Sequence, residues 1–267
     1  MPARQPAIFL PHGGGPCFWM EFPEPFGPRA WDKLRAYLAG LVASLPERPK
    51  AFLVITAHWE AREPTVSVNP RPGMLYDYYG FPDHTYSLRY PAPGAPVVGL
   101  EVKRLIEAAG LPVATDAERG FDHGVFVPFL IVDPKAEIPV VMLSLRRDLD
   151  AAFHIRLGKA LAPLRDEGVA IVGSGMSFHD LRTFRDGDTR ASAAFDQWLD
   201  ETAKAPAPER EARLAEWAKA PSARACHPRE EHLLPLMVVA GAAGESKGKR
   251  DFNDKIGGKM ISAFRFG

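Results

Sequence analysis

Four short apolar runs constrain this chain more than anything else in it: Ala7–Leu10 (AIFL), Ala51–Thr56 (AFLVIT), Ile138–Leu145 (IPVVMLSL) and Val169–Val172 (VAIV). They are rich in branched side chains and bounded by Pro, Gly or polar residues, the pattern of strands buried on both faces. Between them, Pro28–Ser44, Pro96–Ala109 and Ala151–Glu167 carry apolar residues at helical spacing, and Gly168 offers a C-terminal cap for the last. Strands alternating with helices predict an α/β fold, a central mostly parallel or mixed sheet with helices on both faces. Lys259–Phe266 (KMISAFRF) roughly alternates and predicts an added edge strand. Asp188–Lys219 is polar, charge-rich and helical in character, and reads as a solvent-facing excursion. The 267 residues contain no linker rich in Gly, Ser or Pro, so one domain over 1–267 is expected.

The histidines fall at the ends of these elements. His12 (PHGGGP) and His58 (TAHWE) each follow a predicted strand, and in open α/β sheets ligands collect beyond the carboxyl ends of strands, so both should reach one crevice. His179 lies beyond Val169–Val172 after Gly173-Ser174-Gly175, whose flexibility suits close approach of backbone to a ligand. His232 sits near the start of a helix predicted over Glu230–Ala242 and supplies a fourth candidate. Imidazole binds divalent transition metals as a neutral ligand and also titrates near neutral pH, so one residue type can serve as ligand and as proton shuttle. Asp122-His123-Gly124 suits an acid/base site or a structural loop equally well. His84 and His154 read as structural or solvent-facing, and His227 as a neighbour of the site or a contact at the start of the helix rather than a ligand. Gly13-Gly14-Gly15-Pro16 lacks the Lys and Ser/Thr of a phosphate-binding loop, which argues against nucleotide binding.

Tyr76, Tyr78, Tyr79 and Phe81 lie among turn formers, an arrangement suited to stacking on a planar substrate or to plugging a sheet edge. Lys plus Arg and Asp plus Glu both number 33, so no global field draws nucleic acid or an anionic membrane, and a small, largely neutral substrate fits better. Two cysteines are too few for a disulfide framework, and the start MPARQPAIFLPHGG lacks the regions of a secretory signal, so a reduced cytoplasm is expected. No apolar run approaches the roughly 20 residues needed to span a bilayer.

Taken in order, PHGGGP, ITAHWE, YDYYGFP with YPAPG, GFDHGVFVPFLIVDPKAEIPVVMLSL, GSGMSFHDLR and HPREEHLLPLMVVAGAAG resemble the class III extradiol ring-cleavage dioxygenases, in the branch similar to 4,5-DOPA extradiol dioxygenase. The resemblance covers nearly the whole chain. It implies a nonheme divalent metal, ferrous iron for catalysis with zinc able to occupy the isolated protein, and insertion of both atoms of O2 into a catechol beside its hydroxyls. It also implies that His12, His58 and His232 bind the metal, that His179 is a further metal-side ligand or an acid/base, and that His123 acts near substrate and oxygen. Two departures stand out: Gly14-Gly15-Pro16 where the family tends to have Gly-Ser-Pro, and Arg229-Glu230 where it has Thr-Pro. Arg229 suits an acidic substrate tail. Glu231 competes with His232 as third ligand, because more distant members use two histidines and one carboxylate. Two other classes use such histidines, a zinc hydrolase and a noncatalytic metal-binding or interaction protein on the same fold.

Overall fold

In the computed structural model, residues 2–24, 26–184 and 188–267 are described. Eight strands form one sheet: β1 (Ala7–Pro11), β2 (Ala51–Ala61), β3 (Thr65–Ser67), β4 (Ala114–Asp116), β5 (Val140–Arg146), β6 (Val169–Gly175), β7 (Gly248–Ile256) and β8 (Lys259–Phe266). Their spatial order is β4-β3-β5-β2-β6-β1-β8-β7. The four apolar runs are its parallel centre, β5-β2-β6-β1, and every residue of β1 and β6 is buried. A sheet that buries both faces needs cover on both, which the helices provide: α1 (Asp32–Gly40), α2 (Pro96–Ala108), α3 (His123–Val132), α4 (Ala151–Leu161), α5 (Arg190–Lys204), α6 (Ala207–Ala215), α7 (Ala223–Cys226) and α8 (Leu234–Ala242).

Side-chain alternation along β6 shows how the two layers approach. A Cβ on Gly173 would stand 2.6 Å from the carbonyl of Pro235, and one on Gly175 would collide with the carbonyl of His232, so both glycines let α8 and the turn before it lie directly on the strand. Ser174, between them, faces the opposite layer and donates to the carbonyl of Gly124 in α3. The glycines thus serve helix packing rather than approach to a ligand.

Several expectations change. β8 is not an edge strand: it pairs antiparallel with β1 on one side and β7 on the other. The edge is β7, whose sequence GKRDFNDKI is too charged to read as a strand, and charge on an edge blocks further pairing. Asp188–Lys219 is a covering layer instead of a solvent-facing excursion. Phe195 and Leu199 of α5 are buried against β8, and Asp196 takes hydrogen bonds from Ser262, Arg250 and Asn253. The helix predicted from Glu230 begins at Leu234, with Pro235 in its first turn, which leaves His232 in the preceding turn. Helix α3 gave no periodic signal because nine of its ten residues are buried.

Candidate metal centre

The carboxyl ends of β1 and β2 deliver two imidazoles to one point. His12 continues β1, its N–H donating to the carbonyl of Gly175 at 3.1 Å. His58 lies where β2 shifts register against β5, between Ile55 and Glu60, and its N–H donates to Thr56 Oγ1 at 3.2 Å. The two Nε2 atoms are 3.1 Å apart. Two ligands of a tetrahedral ion with metal–nitrogen bonds of 2.0–2.1 Å would stand about 3.3 Å apart.

The tautomer of His12 follows from a proline. Pro128 has no N–H to give the carbonyl four residues earlier, so Gly124 O is free within α3 and accepts from Ser174 Oγ instead. With its proton committed there, Ser174 can only accept from His12 Nδ1, at 3.2 Å. Nδ1 therefore carries the hydrogen, and the Nε2 lone pair faces His58. Gly124 is also where α3 abuts β2, since a Cβ there would press within 2.8 Å of Thr56 Oγ1 and 2.9 Å of the His58 ring.

His232 completes the convergence. Its carbonyl accepts from Met176 N at 3.0 Å, and its Nδ1 donates to Glu231 Oε1 at 2.8 Å, which leaves Nε2 as the lone-pair atom. His12, His58 and His232 offer ligand atoms that all lie within 4.8 Å of one another. Burial, followed by the other imidazoles, pushes His12 and His58 well below the usual histidine value. Burial likewise lowers His232, to about 4, against its hydrogen bond to Glu231. Three buried, neutral imidazoles with converging lone pairs are the donor set of a divalent transition metal, so the residues fit the group.

The carboxylate competitor occupies a different place. Burial would raise Glu231, yet hydrogen bonds from His179 and His232 hold it below the usual carboxylate range. One oxygen, Oε1, serves both rings, at 3.4 Å from His179 Nδ1 and 2.8 Å from His232. His179 stacks on His232 with ring centroids 3.4 Å apart, and its N–H is tied to the carbonyl of Cys226.

On the other side, His123 opens α3 and lies 3.8 Å from His58 between ring centroids. Asp77 Oδ1 accepts from both His123 N (2.9 Å) and His123 Nδ1 (2.8 Å), which commits Nδ1 as a donor and leaves Nε2 outside that bond. Burial opposes the charge on Asp77, but these bonds lower its pKa overall. Asp77 was missed in the sequence because it stood inside a string read for its aromatics. Asp122 is fully buried and raised by that burial, and it accepts from Thr56 and Arg119 beneath the site.

All five of these histidines line one cavity of about 590 Å³, together with Tyr78 and Phe81. Tyr76 does not line it and instead packs edge-on against Tyr78, its hydroxyl donating to Leu88 O at 2.6 Å. Tyr79 is 91% exposed. Arg229 also stays outside the lining, bound to both oxygens of Glu60 at 2.6 Å. Buried His154 bridges Arg146 N and Asp150 O, while His84 bonds Trp19 O at the surface. His227, lowered to about 3 by burial, donates to Ser177 O.

Residues 7–262 match the family described as the catalytic LigB subunit of aromatic ring-opening dioxygenase, and the chain belongs to that family. It is 44% identical over 219 residues to 4,5-DOPA dioxygenase extradiol of Beta vulgaris, covering 80% of this chain and 81% of that one. The protein of the same name from Escherichia coli (strain K12) is 36% identical over 245 residues, or 90% and 85% of the two chains. The crystal structure of an uncharacterized protein from Escherichia coli K12 superposes with a TM-score of 0.76 at 31% identity, covering 99% of this chain and 100% of that one. Within the ring-opening class, the chain is an extradiol dioxygenase.

Proposed function

We propose that residues 1–267 act as one catalytic unit that holds Fe(II) through His12, His58 and His232 and cleaves a catechol ring with O2 in the cytoplasm. The observation that carries this reading is the convergence of three neutral imidazoles beside His123, whose free Nε2 is held at the same cavity by Asp77. When bound, ferrous iron supplies the Lewis acidity and electron relay through which a catecholate and O2 react. The chain's own residues do the rest. Three protein side chains would hold the ion, which would leave positions open for substrate and oxygen. His123 Nε2 takes a catechol hydroxyl proton, a role suited to a ring whose Nδ1–H is spent on Asp77. His179, stacked on His232 and bonded to Glu231, acts as the second acid/base on the opposite flank of the ligand set. Tyr78 and Phe81 form the aromatic wall against which the ring packs. No helix among the described residues is long and apolar enough to cross a membrane.

Protein loaded anaerobically with Fe(II) and given a panel of catechols should consume oxygen and form a yellow ring-opened product. Zinc-loaded protein should do neither. Turnover under nitrogen with zinc, without oxygen uptake, would instead identify a hydrolase built on the same histidines.

A further inference from the structure

The wall of the cavity away from the histidines consists of Phe22, Phe26, Trp31, Phe81, Leu181 and Phe184. Among the described residues, no Lys, Arg, Asp, Glu, Ser, Thr, Asn or Gln lines any part of it. Its other polar groups are uncharged: the backbone of Gly13, Gly14 and Gly15, the Tyr78 hydroxyl and the Trp31 indole. The Tyr78 hydroxyl donates to Thr85 O at 2.7 Å, and the Trp31 indole N–H, though without a partner, is buried from solvent. Among the described residues, Arg182 beside Leu181 is paired with Asp180 at 2.9 Å, and Arg229 is paired with Glu60. A catechol turned with its oxygens toward the histidines must place its substituent against this wall. An ammonium or carboxylate carried there would lose part of its water and gain no counter-charge from the described lining, whereas an alkyl or aryl group would bury apolar surface on both sides.

We propose that this enzyme's substrates are catechols bearing an uncharged apolar substituent, and that the zwitterionic side chain of an amino-acid catechol is disfavoured. The inference rests on the catechol-cleaving function proposed above. It assigns to Phe22, Phe26, Trp31 and Phe184 the role of specificity residues, which the sequence alone did not suggest.

The test compares catechol, 4-methyl-, 4-ethyl- and 4-propylcatechol with L-DOPA, dopamine and 3-(3,4-dihydroxyphenyl)propionate. Oxygen uptake by Fe(II)-loaded protein reports kcat/KM, and calorimetry on zinc-loaded protein under nitrogen reports Kd. Each added methylene should improve both constants roughly threefold to fourfold, with a negative heat-capacity change on binding. L-DOPA should fall at least about tenfold below 4-propylcatechol in both. Leu181→Arg, at a side chain 73% exposed and so free of packing cost, should shift the ratio of propionate to propyl substrate by about tenfold toward the propionate. If L-DOPA binds and turns over as well as 4-propylcatechol, the apolar-substituent proposal is overturned while the dioxygenase reading stands. If the calorimetric ranking holds but no catechol consumes oxygen, the function fails and the assignment of the wall survives. Absence of binding by every catechol overturns both.

Discussion

His12 and His58 stand on strands, whereas His179 and His232 stand on turns, and the two pairs are held by different forces. The strand pair is placed by sheet register: β1 against β6 sets His12, and the shift in β2 sets His58. Ser174 fixes His12 and Thr56 holds the His58 backbone, while the Asp77 carboxylate stands farther off, 3.7 Å from His58 Nδ1. The turn pair has no ladder beneath it and depends on one carboxylate, Glu231, which bonds both rings while they stack. Position on a rigid sheet makes a ligand hard to disturb without removing it. Position on a turn makes it adjustable through the group that holds it.

Breaking the strand pair should have the largest effect. His12→Ala or His58→Ala should lose bound iron and all oxygen consumption, as read by metal analysis beside oxygen uptake, and turnover in either variant would end the assignment. Acid should strike the strand pair and His232 together. Burial lowers His12, His58, His154, His227 and His232 below the unfolded value of about 6.5, with His232 near 4 and His227 near 3. The folded chain therefore binds fewer protons than the unfolded one in that window. Their stabilisation is full above about pH 6.5 and is lost as the pH falls toward 4 and 3, by up to about 1.4 kcal/mol per pH unit for each histidine. Denaturant titrations of metal-free protein between those limits should show a steep positive slope with pH, and a flat profile would mean that these rings are not buried neutral.

His123→Ala separates proton transfer from ligation, because it should keep its iron while kcat falls roughly 10²- to 10⁴-fold. Asp77→Asn should lower kcat less, with a changed pH profile, since the ring remains but its orientation is no longer enforced. Glu231→Gln sharpens the comparison of pairs: it should weaken metal affinity by about 10- to 100-fold through His232, less than His232→Ala does. The reverse order, measured by competition with a chelator, would make Glu231 the third ligand. The smallest effect belongs to the exposed loop, where Tyr79→Ala should change kcat/KM by less than about twofold.

Much of this arrangement is legible in the chain before any coordinates. Apolar runs without alternation mean strands buried on both faces, and a polar residue at the end of such a run has nowhere to go but the crevice beyond it, so His12 and His58 could be placed from spacing alone. The helix α3 could not, because uniform burial erases periodicity, and neither could β7, because charge on an edge strand imitates a loop. The supporting groups were least visible. Asp77 meets His123 across 46 residues and Ser174 meets His12 across 162, separations that no local pattern encodes. The same holds for the apolar wall, where Phe22 and Trp31 meet Phe81 and Phe184 from segments far apart in sequence. The sequence by itself determined the α/β class and pointed His12, His58, His179 and His232 toward one crevice, while His123 stayed open. Only the tertiary structure decided which nitrogen of His12, His123 and His232 keeps its proton and what surrounds a substrate's far end, because tautomer and dielectric are set by neighbours that folding brings in from distant parts of the chain.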